Sequence, residues 1–237
     1  MANTYFKFKQ FTIHQDKCAM KVGTDGVLLG AWAKCDDATT VLDIGTGTGL
    51  IALMLAQRSN AIIDAIEIDT DACMQAKENF KNSSWNNRIS LINQSFQDYA
   101  NETGKKYDLI VSNPPYFQNS LHAPGEQRST ARHNKELELN DILSGASKLL
   151  ADKGTLSIIL PYIEGVLFIT YAAEEGLYCV RQTNVLPKPK AATKRLLLEF
   201  QKTKKTFVDQ DLIIESGNRH EYSENYKELT RDFYLFL

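Results

Sequence analysis

The stretch TTVLDIGTGTGLIALMLAQR, residues 39–58, decides the fold. Residues 39–45 are an apolar run ending in glycine, which suits a strand buried on both faces. From Thr48 to Arg58, Leu50, Ile51, Met54 and Leu55 recur on one face, as in a helix. Outward from this unit the alternation continues. AIIDAIEID (61–69), RISLINQ (88–94), YDLIVSNPP (107–115) and GTLSIILP (154–161) read as further strands. Helical patterns cover 70–81, with Thr70 or Asp71 as N-cap, then 140–151, stopped near Gly154, and 163–175, ending before Gly176. LYCVRQTNVL (177–186) and KRLLLEFQK (194–202) follow with PKPK between them and no helix, so they are expected to pair as an antiparallel hairpin at one sheet edge. The expected fold is α/β: a doubly wound, mostly parallel seven-stranded sheet with that edge hairpin. With no internal repeat and no linker, residues 1–237 are expected to form a single domain. Within it, 1–40 would cover the site, 41–205 would build the core sheet and 206–237 would form a C-terminal extension.

Composition narrows the function classes. The chain has 237 residues, 43% hydrophobic and 24% charged, enough to bury a core without staples. The longest apolar run, Leu50 to Ala56, is far too short to cross a bilayer, and the first residues carry no secretory pattern. A cytoplasmic protein with no membrane partner is therefore expected. Its four cysteines (18, 35, 73, 179) and four histidines (14, 122, 133, 220) are scattered without metal-ligand spacing, so no metal is expected. Net charge is −2, but residues 181–205 carry eight basic residues against Glu199, a local +7, and residues 206–237 sum to −4. Such a basic segment suits a polyanionic partner, or else decorates a solvated face.

The loop Asp43-Ile44-Gly45-Thr46-Gly47-Thr48-Gly49 lies between the first core strand and its helix. Glycines there allow a tight turn and close approach of a ligand to free N–H groups at the helix start. No P-loop pattern occurs, and the third glycine of a dinucleotide fingerprint is replaced by Leu50. D-x-G-x-G-x-G resembles the first motif of class I S-adenosylmethionine (AdoMet) methyltransferases. Glu67, at the end of the second core strand and 22 residues after Gly45, is placed to accept both ribose hydroxyls; Asp69 is its competitor.

The fourth core strand ends Ser112-Asn113-Pro114-Pro115-Tyr116. An Asn-Pro pair can simply end a strand in a turn, but this end lies where doubly wound sheets bind ligands. Two prolines restrict φ and hold the preceding backbone extended. Asn113 Oδ1 and the Pro114 carbonyl can then act as two acceptors for one NH₂ group. Accepting both hydrogens of a conjugated amine favours a pyramidal nitrogen with a directed lone pair, which is positioning and electrostatic preorganisation without metal or covalent intermediate. Tyr116 would stack on the planar group. An adenine inside a folded nucleic acid would have to be unpaired or flipped. Adenine N6-methyltransferases and release-factor glutamine methyltransferases share this pattern.

The N-terminal stretch separates them. Phe8-Lys9-Gln10-Phe11 and DKCAMKVGTDGVLLGAWA (16–33) resemble bacterial tRNA adenine N6-methyltransferases that modify adenine 37 of a valine tRNA. The likeness continues through 42–58, NPPYFQ and the closing YSE (222–224) and FYLF (233–236). The glutamine enzymes are expected to carry a helical N-terminal domain, whereas only 40 residues precede the core here. The resemblance implies AdoMet contacts from Asp43, Gly45, Gly47 and Gly49, ribose recognition by Glu67, and target-amine binding by Asn113, Pro114 and Tyr116. It also implies that residues 21–26, with Lys21, Thr24 and Asp25, fold over the cofactor. Where relatives place an acid near the cofactor's adenine amine, this chain has Ser95, and the substitute is either Asp98 or main-chain atoms. The partner would be the anticodon arm of a tRNA, bound by a monomer through Lys188, Lys190 and Lys194, with Arg128 and Arg132 clamping nucleotides beside the target. Methylation of a protein glutamine or of rRNA at the same site is the alternative, and a non-catalytic AdoMet binder is a third.

Overall fold

The computed structural model describes residues 3–18, 20–115 and 137–235. A short hairpin, β1 (Tyr5–Lys7) and β2 (Thr12–His14), leads into α1 (Thr24–Trp32). The alternation then runs β3 (Thr40–Ile44), α2 (Leu50–Arg58), β4 (Ile62–Glu67), α3 (Thr70–Lys81), β5 (Ile89–Asn93), α4 (Phe96–Glu102) and β6 (Tyr107–Ser112). After it come α5 (Leu139–Leu149), β7 (Leu150–Pro161), α6 (Tyr162–Glu174), β8 (Tyr178–Leu186), β9 (Arg195–Gln201), β10 (Val208–Ile213) and α7 (Glu224–Thr230).

The main sheet has the order β10-β8-β9-β7-β6-β3-β4-β5. β3 lies inside the sheet between β6 and β4, and Val41, Leu42 and Ile44 are fully buried with Asp43 among them, as suits a mainly apolar strand covered on both faces. Strands β3 to β7 run parallel to one another, and β9 pairs antiparallel with both β7 and β8. Because β9 is reversed, β8 points the same way as β7. Ile44, Glu67, Ser112, Pro161 and Leu186 therefore all end at one carboxyl edge, where ligands bind in such sheets.

The sheet has eight strands rather than the expected seven. β10, from the expected C-terminal extension, pairs parallel with β8 from Val208↔Arg181 to Ile213↔Leu186 and covers the edge that the hairpin would have left open. VDQDLI carries no strand signal because only Leu212 is buried; a polar edge strand has no apolar alternation to detect. Asn184 Nδ2 donates to Asp209 and Asp211 at 2.9 and 3.0 Å, so polar side chains also hold this edge. The covering segment contains a helix, α1, whose residues from Gly26 to Trp32 are all buried, which leaves no polar face and no amphipathic period. The N-cap of α3 is Asp69, whose Oδ1 accepts from Ala72 N at 2.7 Å, and not Thr70 or Asp71.

Apolar side chains fill both faces of the sheet. On one face α1 crosses α2, with Gly30 against Met54; on the other α4 meets α5, with Gly145 against Phe96. The C-terminal Phe233 packs in the same core as Phe8, and its carbonyl accepts from Lys9 N at 2.8 Å, so the two ends of the chain close over one side of the sheet.

Candidate active site

At the carboxyl edge lies a cavity of about 940 Å³. Its walls are residues 44–48 of the glycine loop, Glu67 to Asp69, Gln94 to Gln97, Asn113, Pro115, Leu137 and, from the N-terminal side, Met20 to Gly26.

The loop geometry demands its glycines. Gly45, Gly47 and Gly49 have φ of +68°, +55° and +84°, a region where a side chain is strained. A Cβ on Gly49 would also lie 2.4 Å from the Phe80 ring, so that position is closed twice over. Asp43 is fully buried beneath the loop and is not among the residues that line the cavity. Its Oδ2 accepts from Thr46 Oγ1 at 2.6 Å and from Ala52 N at 3.2 Å, tying the loop to the first turn of α2. Burial pushes the Asp43 carboxyl up to about 7, against the two hydrogen bonds that pull it down; the Glu67 charge adds to the rise.

A folded-state value raised above the unfolded one favours the neutral acid. This contribution to stability is fully present below the ordinary carboxylate range and is lost as pH rises through about 7. Asp43→Asn cannot ionise. The melting temperature of the parent is therefore expected to fall relative to Asp43→Asn between pH 5 and pH 8, as read by thermal denaturation; parallel curves would remove the assignment.

Glu67, and not Asp69, engages the loop. Its Oε2 accepts from Gly47 N at 2.9 Å, and its Oε1 accepts from Ile68 N at 2.9 Å and Asp69 N at 3.0 Å. These three donors orient the carboxylate at the cavity rim, while Asp69 turns to cap α3 although it too lines the wall. Asp98 is exposed and is not among the residues that line the cavity. Its N–H donates to Ser95 Oγ at 3.1 Å, which makes Ser95 the cap of α4. Gln94, Ser95, Phe96 and Gln97 form the wall at this place. No motif marks Gln94, Phe96 and Gln97 in the sequence, although Ser95-x-x-Asp98 carries the spacing of a helix start.

Lys21, Thr24 and Asp25 all line the cavity. Asp25 Oδ2 accepts from Arg195 Nε at 2.8 Å, which joins the start of α1 to β9. Asn113 and Pro115 lie on the wall and Pro114 is buried between them. Ser112 Oγ donates to the Ile44 carbonyl at 3.1 Å, which holds the residue before Asn113 to the residue before Gly45. Tyr116, Arg128 and Arg132 lie outside the described residues.

The basic segment changes once it is folded. Arg181 pairs with buried Glu199 at 2.7 Å and lies 3.5 Å over the Trp32 ring, and Arg195 is held by Asp25. Lys188, Lys190 and Lys194 are exposed on the β8–β9 connection at the carboxyl edge, with Lys188 Nζ 3.7 Å from Glu215. The +7 of the linear stretch thus resolves into internal pairs and a smaller exposed set. Among the described residues, no helix is long and apolar enough to cross a membrane, and no three acidic, histidine or cysteine side chains form a metal-ligand group.

Residues 22–162 match the model of the methyltransferase small domain. A protein of Parabacteroides distasonis named tRNA1(Val) (adenine(37)-N6)-methyltransferase is 51% identical over 235 residues, 99% of each chain. A protein of the same name from Bacteroides thetaiotaomicron is 52% identical over the full length of both chains. Among solved structures, a predicted O-methyltransferase of Agrobacterium tumefaciens superposes with a TM-score of 0.69 at 20% identity, covering 88% of this chain and 96% of its own. That likeness shows a shared fold. The substitution of half the residues over the whole length, with no loss of alignment at either end, leaves one assignment: the chain belongs to the tRNA1(Val) (adenine(37)-N6)-methyltransferase family, built on the methyltransferase small domain.

Proposed function

We propose that the protein methylates the exocyclic N6 amine of an adenine in tRNA, adenine 37 of a valine tRNA, with AdoMet as methyl donor. The observation that carries this reading is the placement of Asn113-Pro114-Pro115 beside the cavity bounded by the glycine loop and Glu67. The residues fit AdoMet. Glu67 offers a carboxylate to ribose hydroxyls, and Ile44, Ile66, Ile68 and Phe96 offer apolar wall to a purine. A Cβ at Gly45 or Gly47 would meet only open space, so the backbone there can be approached closely. When bound, AdoMet supplies an electrophilic methyl group on a sulfonium.

This chain's residues would orient the other reactant. Asn113 Oδ1 and the Pro114 carbonyl accept the two amine hydrogens and leave the nitrogen lone pair directed into the cavity. Fixed acceptors of this kind cost no reorganisation during the reaction. Tyr116 is proposed to stack on the target base. Glutamine methylation would use the same acceptors, and the names of the full-length relatives favour the adenine. Incubation with labelled AdoMet and total tRNA, followed by nucleoside analysis, is expected to place label in N6-methyladenosine. Label in protein glutamine or rRNA instead would overturn the substrate.

The protein is proposed to act as a monomer on the anticodon arm. The pocket itself contacts little more than one base, so affinity must come from phosphate contacts outside it. Lys188, Lys190 and Lys194 stand on the same carboxyl edge as Asn113 and supply such contacts, with Arg128 and Arg132 proposed to hold flanking nucleotides. Replacing the three lysines by Ala is expected to weaken tRNA binding at low salt. The slope of log K against log[salt] should flatten by about 0.7–0.9 for each phosphate left without its lysine. An unchanged slope in a binding titration would leave this connection as a solvated edge.

A further inference from the structure

Residues 15–18 and 20–23 form no helix or strand, yet Cys18, Met20, Lys21, Val22 and Gly23 make a whole wall of the cavity. Their backbone groups must find partners elsewhere. Three buried side-chain amides hold the stretch, at His14, Lys17 and Val22. Asn79, 1% exposed, faces His14 as a strand would: its Oδ1 accepts from His14 N and its Nδ2 donates to the His14 carbonyl, both at 2.9 Å. Gln75, one turn earlier on α3 and fully buried, accepts from Lys17 N at 3.0 Å through Oε1. Gln15, 4% exposed, accepts from Val22 N at 2.8 Å and donates to the Asn3 carbonyl at 3.0 Å. Asn79 makes one further bond, from Nδ2 to the carbonyl of Thr48 in the glycine loop, at 2.8 Å. Thr48 lines the cavity, so one buried side chain grips the loop and the root of the strap that faces it.

Packing alone would not call for this arrangement. A buried amide is costly unless it is satisfied, and an apolar residue would fill the same space without that penalty. What the amides add is a fixed spacing between backbone segments.

We propose that Asn79 is a positioning residue for the cofactor: with Gln75 it clasps residues 14–18 to α3 and to the glycine loop, while Gln15 joins this stretch to Val22, and the separation of two walls of the cavity is set in this way. The inference rests on the reading that this cavity takes AdoMet, and it assigns a role in holding the cofactor to residues that do not touch it.

The test uses the full chain with S-adenosylhomocysteine, which binds without reacting, followed by calorimetry and hydrogen exchange. In the parent, the ligand is expected to slow exchange at the His14, Lys17 and Val22 amides, the three that donate to the clasp. Asn79→Ala is expected to raise the dissociation constant about tenfold, the equivalent of one or two net hydrogen bonds. Its turnover at saturating AdoMet should fall far less than its affinity. Gln75→Leu removes the bond to Lys17 but keeps the one to Thr48; a smaller rise is expected, and this variant carries the test if Asn79→Ala does not fold. A merely structural role would lower the melting temperature and the active fraction with affinity held. Unchanged affinity in the folded variants, or no change in exchange at the three amides, would overturn the proposal. A parent that binds no S-adenosylhomocysteine would overturn the AdoMet reading itself, a separate failure.

Discussion

Asn113→Ala is expected to lower turnover by about 10²–10³, the usual consequence of removing one preorganised hydrogen-bonding group from a site of developing charge. AdoMet binding should stay near the parent's value, because the proposed role of the side chain is on the target amine. The geometry sharpens this expectation. Asn113 is carried on the end of β6, and Ser112 Oγ ties that end to the Ile44 carbonyl at 3.1 Å. The acceptor is therefore held by the central strands of the sheet, and truncating its side chain leaves that frame intact. Single-turnover assays on tRNA with saturating AdoMet make the measurement. A turnover close to the parent's would defeat the two-acceptor mechanism, and a parallel loss of AdoMet affinity would reassign Asn113 to the cofactor.

Glu67→Ala should act in the opposite sense, on binding more than on chemistry. Hydrogen bonds to a charged group contribute about 1.5–3 kcal/mol, so cofactor affinity should fall roughly 10- to 100-fold. Two effects combine here. The ribose loses its proposed acceptor, and the N–H groups of Gly47, Ile68 and Asp69 lose the carboxylate that holds them. Calorimetry with AdoMet reads the affinity, and circular dichroism verifies the fold. If affinity is retained, the ribose role passes to Asp69, the other acid on the wall.

Much of this architecture is legible in the chain. β3, its glycine loop and α2 follow directly from residues 39–58, because a strand buried on both faces is mainly apolar and a loop with three left-handed positions has to be glycine there. Glu67 and Asn113 follow from where their strands end. The edge strand β10 and the buried helix α1 are less legible for opposite reasons, one being exposed along most of its length and the other buried all round from Gly26 to Trp32. In neither case does periodicity report the element.

Other features depend on pairings between residues far apart in the chain. Arg181 and Arg195 read as part of a basic run, but the fold brings Glu199 and Asp25 to them and removes them from the exposed charge. Asp98 has the right chemistry for the cofactor's adenine amine, but helix α4 turns it to solvent and leaves Gln94 to Gln97 on the wall. Asn79 is an ordinary polar residue in an amphipathic helix until the strap and the glycine loop meet around it. The sequence by itself determined the alternation of strands and helices in the core, the turn geometry and which polar residues stand at the strand ends, because local sterics and hydrophobic patterning act through neighbours in the chain. Which charges neutralise one another, which acid faces the cavity and what holds its walls together were decided by tertiary structure alone, because electrostatics and hydrogen bonding act through distance in space.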